Sequence, residues 1–238
     1  MNSKPVLALT WTTVSAGLLL CSRVYGDIML GNVDDFQSGT PEGWVHAQVN
    51  ANSPTNVPNV GPTGGGDTSL QLSSNGIGGP GSRFLAFNPG SDWTGDYVSA
   101  GVNAIQVEFN NIGGQNLDMR LALNGPGGWF ITAPVAVNTG GGWQIPVLFP
   151  VTALDLTYVG GAPSDISATL SGVTQIQLSS AAAFPILGGG RPRGDLISAT
   201  AYVDNITAVP EPSTAALLGI GGLVVFMSSR NRRRGNQC

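Results

Sequence analysis

The sequence predicts an all-β fold, an antiparallel β-sandwich, on three observations. The chain has 35 glycines and 16 prolines in 238 residues, while only 10% of its residues are charged. This composition suits short strands joined by turns better than charge-rich helices. Apolar and polar residues alternate in short runs, which is the period of a half-buried strand, and glycine clusters separate these runs.

The N-terminal segment is typical of a secretory signal. Lys4 supplies a positive charge, an apolar stretch follows at residues 6–21, and the small residue Gly26 ends the segment. We therefore expect residues 1–26 to form a signal peptide, with a signal helix, that is removed after Gly26. The two cysteines of the chain are Cys21 and Cys238, so the body between the terminal segments is expected to contain no disulfide.

Two stretches of the body alternate most clearly. Ile105, Val107 and Phe109 are separated by single polar residues, and residues 117–124 show the same pattern. A period of two places alternate side chains on opposite faces, so each stretch predicts a strand. Similar runs predict further strands at residues 69–72, 83–87, 143–149, 173–178 and 199–206. Residues 50–66, rich in Asn, Pro and Gly, predict a long surface loop.

The body is strongly acidic. Between Asp27 and Pro212 it contains fourteen acidic residues and only four basic ones, a net formal charge of −10. Such a surface repels phosphate backbones, so we expect no nucleic-acid partner. For the same reason, any polysaccharide that the body binds is expected to be neutral.

Few residues of the body are typical of catalysis. His46 is the single histidine, and we expect it to be a packing or surface residue. No serine stands in a Gly-x-Ser-x-Gly motif, and residues 27–208 contain no cysteine and no lysine. Glu108 is expected to form an ordinary cross-strand pair with Asp118 or Arg120. We therefore predict no enzyme activity. A glycosidase needs only two carboxylates, so a glycan-active enzyme using an Asp/Glu pair stays an alternative.

Near its C-terminus the chain has an apolar run followed by arginines. Residues 215–227 are uncharged, and the flanking Ser and Thr residues extend this stretch to residues 214–229. That length is at the lower end of what spans a bilayer. The basic cluster consists of Arg230, Arg232, Arg233 and Arg234. We predict a single transmembrane helix with the arginines on the cytoplasmic side and the body outside.

A short motif precedes this helix, and its residues are Val209, Pro210, Glu211, Pro212 and Ser213. The motif, the apolar run and the arginine cluster together resemble the PEP-CTERM sorting signal of Gram-negative bacteria, here at residues 209–235. The resemblance implies that an exosortase-type membrane enzyme processes the chain. It also implies export, with transient anchoring in the inner membrane before release to the cell surface or extracellular matrix.

The two ends of the body carry a second resemblance. Residues 33–39 with Trp44, and residues 202–206, resemble the first and last strands of galactose-binding-like jelly rolls, the architecture of many carbohydrate-binding modules. The resemblance implies a jelly-roll sandwich at residues 27–208. It also implies a structural calcium ion, for which Asp34, Asp35 and Asp204 would supply carboxylates. We expect no other cofactor.

Aromatic residues beside turns are candidate sugar platforms, because flat rings stack on pyranose faces. Trp93, Trp129 and Trp143 have this position in the sequence. The function predicted from these features is an exported, non-enzymatic surface or matrix protein that binds polysaccharide. A glycan-active enzyme and a purely structural matrix component are the alternatives.

Overall fold

The structure is a computed structural model, and it describes residues 28–210 except 145 and 162. The predicted signal peptide lies outside the described residues, as does the predicted sorting signal from Glu211 onward, with its transmembrane helix and arginine cluster. Within the described part of the chain, no helix has the length and apolar character needed to cross a membrane.

Fourteen strands and two short α-helices make up the described chain. The strands are β1 (Val33–Asp34), β2 (Thr55–Pro58), β3 (Thr68–Asn75), β4 (Leu85–Asn88), β5 (Ala104–Asn111), β6 (Leu117–Gly125), β7 (Gly128–Ile131), β8 (Val135–Val137), β9 (Val147–Pro150), β10 (Thr157–Gly160), β11 (Gln175–Ser180), β12 (Leu187–Gly188), β13 (Arg191–Pro192) and β14 (Ser198–Val209). The helices are α1 (Tyr97–Ala100) and α2 (Ile166–Leu170).

The strands form two six-stranded sheets. The first has the order β2-β3-β14-β5-β9, with β1 also paired to β14. The second has the order β10-β7-β6-β11-β4, with β8 also paired to β6, and β12 and β13 form a separate hairpin. The ladders between these strands are antiparallel. One apolar cluster contains residues of both sheets, so the predicted all-β antiparallel sandwich is confirmed.

The two clearest alternating stretches form central strands. Ile105, Val107 and Phe109 of β5 are fully buried, and the intervening polar residues are half-buried. In β6 the residues Leu117, Met119, Leu121 and Leu123 are fully buried. These two sets face each other across the sandwich, because side chains two residues apart share one face of a strand.

The structure corrects the strand prediction in two places. Thr55–Pro58 is an edge strand paired with β3, inside the stretch that was predicted to be a loop. An edge strand tolerates a proline at its end and shows little alternation, so the sequence pattern did not reveal it. The strand predicted at residues 143–149 begins only at Val147. The last predicted strand is present as Ser198–Val209, and its final residue pairs with Ala104.

Neither short α-helix follows from an apolar period. Each begins after an aspartate whose side chain accepts a backbone N–H of the first turn: Asp96 accepts from Ser99, and Asp165 accepts from Ala168. These N-caps satisfy donors that a helix of four or five residues leaves unpaired. Helix α1 ends at Gly101, whose positive φ of 71° suits a glycine.

A buried carboxylate links three segments at one end of the core. The indole nitrogens of Trp44 and Trp93 each donate to Oδ2 of Asp34, at 2.7 Å. Asp34 is 6% exposed and each tryptophan is 1% exposed. Since β1 pairs with β14, these bonds join the first and last strands to the segments that carry the two indoles. Hydrogen bonds to a charged group are strong, and here they offset part of the cost of burying it.

This arrangement makes stability depend on pH. Burial raises the pKa of Asp34 from 3.8 to about 6, although the two indole hydrogen bonds act in the opposite direction. The folded chain therefore holds this proton more tightly than the unfolded chain does. The contribution of Asp34 to the free energy of unfolding is fully present below about pH 4 and is lost as the pH rises to about 6. A shift of this size corresponds to about 3 kcal/mol.

Replacing Asp34 with Asn tests the assignment. Asparagine keeps an oxygen that can accept the indole N–H groups but has no titratable proton. Urea unfolding at pH 4 and pH 7 should show a smaller loss of stability for Asp34→Asn than for the native chain. Asp155→Asn, at an exposed carboxylate that is not among the charges acting on Asp34, is the control and should follow the native pH profile. If Asp34→Asn has the native profile as well, the pH dependence has another source.

Candidate functional site

A pocket of ≈ 580 Å³ lies beside β4, the edge strand of the second sheet. Three parts of the chain form its walls: residues 46–50, residues 78–83, and the hairpin of β12 and β13 with the residues after it. The volume is in the range of small-molecule sites. Sequence reasoning did not predict this pocket, because its walls are loops that meet only in the folded chain.

Arginines dominate the charge of the pocket. Arg83, Arg191 and Arg193 line it, and no aspartate or glutamate is among its described lining residues. The guanidinium carbon of Arg191 lies 3.8 Å from the ring centroid of Phe87, a cation–π contact. Nη1 of Arg191 is buried and has no hydrogen-bond partner in the described part of the chain. Burial lowers the pKa of Arg191 below its ordinary value.

His46 contributes a neutral donor to the same pocket. Oδ1 of Asn50 accepts from the N–H of Asn52, so Nδ2 of Asn50 points to the carbonyl of Gln48 at 2.7 Å and to Nδ1 of His46 at 3.2 Å. Nδ1 of His46 is therefore the acceptor, and Nε2 carries the hydrogen. Nε2 is buried. Burial lowers the pKa of His46, which favours the neutral ring, although hydrogen bonding with the backbone of Leu85 and with Asn50 acts in the opposite direction.

The hairpin of β12 and β13 covers the outer face of the second sheet. The indole of Trp129 donates to the carbonyl of Gly190 at 2.8 Å, and the side-chain amide of Gln177 donates to the carbonyl of Pro192 at 2.8 Å. Leu187 of the hairpin packs on a small apolar cluster formed by Ala122, Trp129 and Ile131. The same hairpin thus covers the sheet and brings Arg191 into the pocket.

The structure corrects two of the three predicted sugar platforms. Trp93 is 1% exposed and Trp129 is 4% exposed, so neither ring offers a face to a sugar. Both indoles also donate to internal acceptors, which explains their position in the interior. Trp143 is half-buried and donates to the carbonyl of Val60 at 3.0 Å. The platform prediction is therefore retained for Trp143 alone.

The structure also changes the predicted calcium ligands. Asp34 is not available as a ligand because its Oδ2 binds two indoles in the core. Asp204 is 1% exposed; its Oδ1 accepts from the N–H of Asn205, while Oδ2 is buried and has no partner in the described chain. Burial raises the pKa of Asp204 to about 7, and the nearby charges of Asp67, Glu108 and Asp35 add to the effect.

The side-chain amide of Gln37 lies among oxygens of the proposed calcium region. Nε2 of Gln37 donates to the carbonyls of Asp35 and Thr68 and to Oδ1 of Asp67, at 2.7–3.2 Å. Within residues 28–210, apart from 145 and 162, no three Asp, Glu, His or Cys side chains are grouped so that they could hold a metal ion. The predicted set of three carboxylates is therefore not assembled. The unpartnered oxygen of Asp204 is the one feature here that suits a cation.

Comparisons with known proteins agree with the two resemblances. Residues 208–234 match the PEP-CTERM protein-sorting motif. No curated protein matches the chain in sequence. An exo-β-agarase has a similar structure, with a TM-score of 0.51 and 15% identity over 78% of this chain and 26% of the agarase chain. CtCBM11, whose solution structure, dynamics and binding were studied, is similar with a TM-score of 0.50 and 15% identity over 79% of this chain and 98% of that chain.

A family 11 carbohydrate-binding module from Clostridium thermocellum, in complex with a β-1,3-1,4-mixed-linked tetrasaccharide, is also similar in fold. Its TM-score is 0.48, at 15% identity over 76% of this chain and 96% of the module. The chain thus carries a PEP-CTERM motif, which indicates export and sorting to the cell surface. Its body has the β-sandwich fold of carbohydrate-binding modules. It spans about a quarter of the agarase chain, so the similarity there is limited to one part of that enzyme.

Proposed function

We propose that this chain is a non-enzymatic protein of the cell surface or extracellular matrix whose sandwich binds a polysaccharide. The observation that carries the proposal is the pocket beside β4, where Nη1 of Arg191 is buried without a partner among the described residues. Buried donors are normally hydrogen-bonded, and sugar hydroxyl and ring oxygens are acceptors that a ligand would supply. The fold shared with carbohydrate-binding modules gives independent support.

The positions of the carboxylates favour binding over catalysis. Asp204 and Glu108 lie directly opposite each other on neighbouring strands of the first sheet. However, Asp204 is 1% exposed, so a glycosidic bond has little access to this pair. The described lining of the pocket contains no carboxylate, while glycoside hydrolysis requires two carboxyl groups flanking the bond. Catalysis in this chain would require groups that the pocket does not offer.

The chemical class of the polysaccharide is proposed from the net charge of the body and from the exposure of its aromatic rings. Twelve acidic and four basic residues lie within residues 28–210, so an anionic polymer with closely spaced charges would be repelled. A mainly neutral chain is therefore the proposed ligand. Trp143 keeps part of its ring exposed and is the remaining candidate for stacking on a sugar face.

Affinity electrophoresis tests binding. The purified full-length protein should be retarded in gels containing a neutral β-glucan, at low and at high salt, because stacking does not depend on charge. Trp143→Ala should weaken retardation several-fold. Phe184→Ala removes another aromatic side chain, 51% exposed and outside the pocket lining, and should have no effect. Absence of retardation by every polysaccharide tried would favour a purely structural matrix component. If Trp143→Ala is retarded as strongly as the native protein, Trp143 is not a stacking platform, but polysaccharide binding itself stands.

The sorting motif predicts a processing step. We propose that an exosortase-type enzyme acts on the chain while its C-terminal helix is in the inner membrane. Replacing Pro210, Glu211 and Pro212 with alanine should leave export intact and cause full-length protein to accumulate in the membrane fraction. Alanines at Asn236 and Gln237, beyond the matched motif, are the control and should not affect processing. Normal release of the triple variant to the surface would contradict the assignment.

We propose that a structural calcium ion binds to a smaller ligand set than the sequence predicted, namely Asp35 and Asp204. Calcium would supply positive charge to the unpartnered Oδ2 of Asp204. A ligand that binds only the folded state raises the melting temperature, so millimolar calcium should raise it by several degrees and a chelator should reverse the change. Asp204→Asn should abolish the calcium response, whereas Asp92→Asn should keep it. Identical melting curves of the native protein in calcium and in chelator would exclude calcium.

A further inference from the structure

Positive charge is concentrated at one place in an otherwise acidic body. Residues 28–210 contain four arginines and no lysine, and three of these arginines line the pocket beside β4. The fourth, Arg120, is 7% exposed and donates to the carbonyls of Ala181 and Thr132, so it is fixed in the structure. The pocket therefore carries every arginine of the described chain that is not bound in the interior.

Two of the three pocket arginines are held in place. Nη1 of Arg83 donates to the carbonyl of Gly194 at 2.6 Å, and Arg191 is stacked on Phe87. Arg193 lies against Gly188 so closely that a side chain at Gly188 would meet its guanidinium. Fixed positions reduce the conformational entropy that a long side chain loses when it binds a ligand. Their arrangement is that of a preformed binding site.

The charge of these groups is not balanced within the pocket. No acidic residue is among the described residues that line it, and burial is the cause of the lowered pKa of Arg191. A partly buried guanidinium without a counter-charge is costly, and its planar fork matches a carboxylate or a sulfate. These groups select a negatively charged oxygen ligand.

We infer that the pocket binds a single oxyanion, a carboxylate or sulfate substituent carried by an otherwise neutral polysaccharide. The inference rests on the proposed polysaccharide binding and names the chemical group that this site recognises. It agrees with the negative charge of the body as a whole. A polymer charged on every sugar is repelled by twelve acidic residues, whereas one substituent inside the pocket lies within a Debye length of about 8 Å from the arginines.

Isothermal titration of the full-length protein tests the inference. The probes are glucuronosyl-glucose, which carries one carboxylate on an otherwise neutral disaccharide, its uncharged methyl ester, and inorganic sulfate. Glucuronosyl-glucose should bind at least about 10-fold more tightly than the ester, since hydrogen bonds between charged groups are stronger than those between neutral groups. Higher salt should weaken this binding. Sulfate competing with glucuronosyl-glucose would show that the site accepts either oxyanion, and failure to compete would restrict it to carboxylates.

Variants locate the site. Arg191→Gln and Arg193→Gln should each weaken glucuronosyl-glucose binding about 10-fold or more and should weaken ester binding by a clearly smaller factor, because the charge is lost only for the carboxylate ligand. Gln115→Glu makes the net charge more negative by the same single unit at an exposed position outside the pocket, and it should bind like the native protein. Arg193 is exposed, so its variant remains informative if Arg191→Gln does not fold.

Three outcomes would overturn the inference. The first is equal affinity for glucuronosyl-glucose and its ester, or no binding of either glucuronosyl-glucose or sulfate. The second is loss of glucuronosyl-glucose binding in Gln115→Glu to the same extent as in the arginine variants, because the overall charge would then explain the effect. The third is glucuronosyl-glucose binding that the arginine variants retain, which would place the oxyanion elsewhere on the protein. Retardation by neutral polysaccharide together with any of these outcomes would leave the proposed function in place.

Discussion

The second sheet is buried on both faces, and this constraint determines how the site is built. In β6 every residue from Met119 to Leu123 is buried, whereas β5 of the first sheet alternates between buried and half-buried residues. A strand with only one face in the core would alternate, so the outer face of the second sheet needs a cover. The hairpin of β12 and β13 provides this cover through Leu187 and through carbonyls that accept from Trp129 and Gln177.

The hairpin of β12 and β13 therefore both covers the second sheet and forms one wall of the pocket. The strand β13 that lies over Phe87 also positions Arg191, and Arg193 follows on the same segment. A change that lifts the hairpin would expose Trp129 and would remove two of the three arginines from the pocket. The stability of the second sheet and the binding properties of its edge are therefore linked.

The sequence predicted features that depend on local pattern and missed those that depend on distant contacts. Alternation at Ile105, Val107 and Phe109 predicted a central strand because the period is visible within nine residues. The burial of Trp129 depends on a hairpin about 60 residues later, so its position beside a turn indicated a platform where none exists. Asp34 failed as a calcium ligand for a similar reason, since its partner Trp93 is distant in the sequence. The acidic composition indicated a wholly neutral ligand. Composition alone does not show that three arginines converge at one pocket, so the prediction missed the site for a charged substituent.

The central claim is that polysaccharide binds at the pocket beside β4, and hydrogen-exchange mass spectrometry of the full-length protein tests it most directly. Amides are compared in the presence and absence of a bound oligosaccharide that carries one carboxylate. The account predicts slower exchange in residues 46–50, residues 78–85 and the hairpin from Leu187 to Arg193, with little change in the outer strands of the first sheet. Protection confined to the region around Trp143, with native exchange in these three segments, would contradict it.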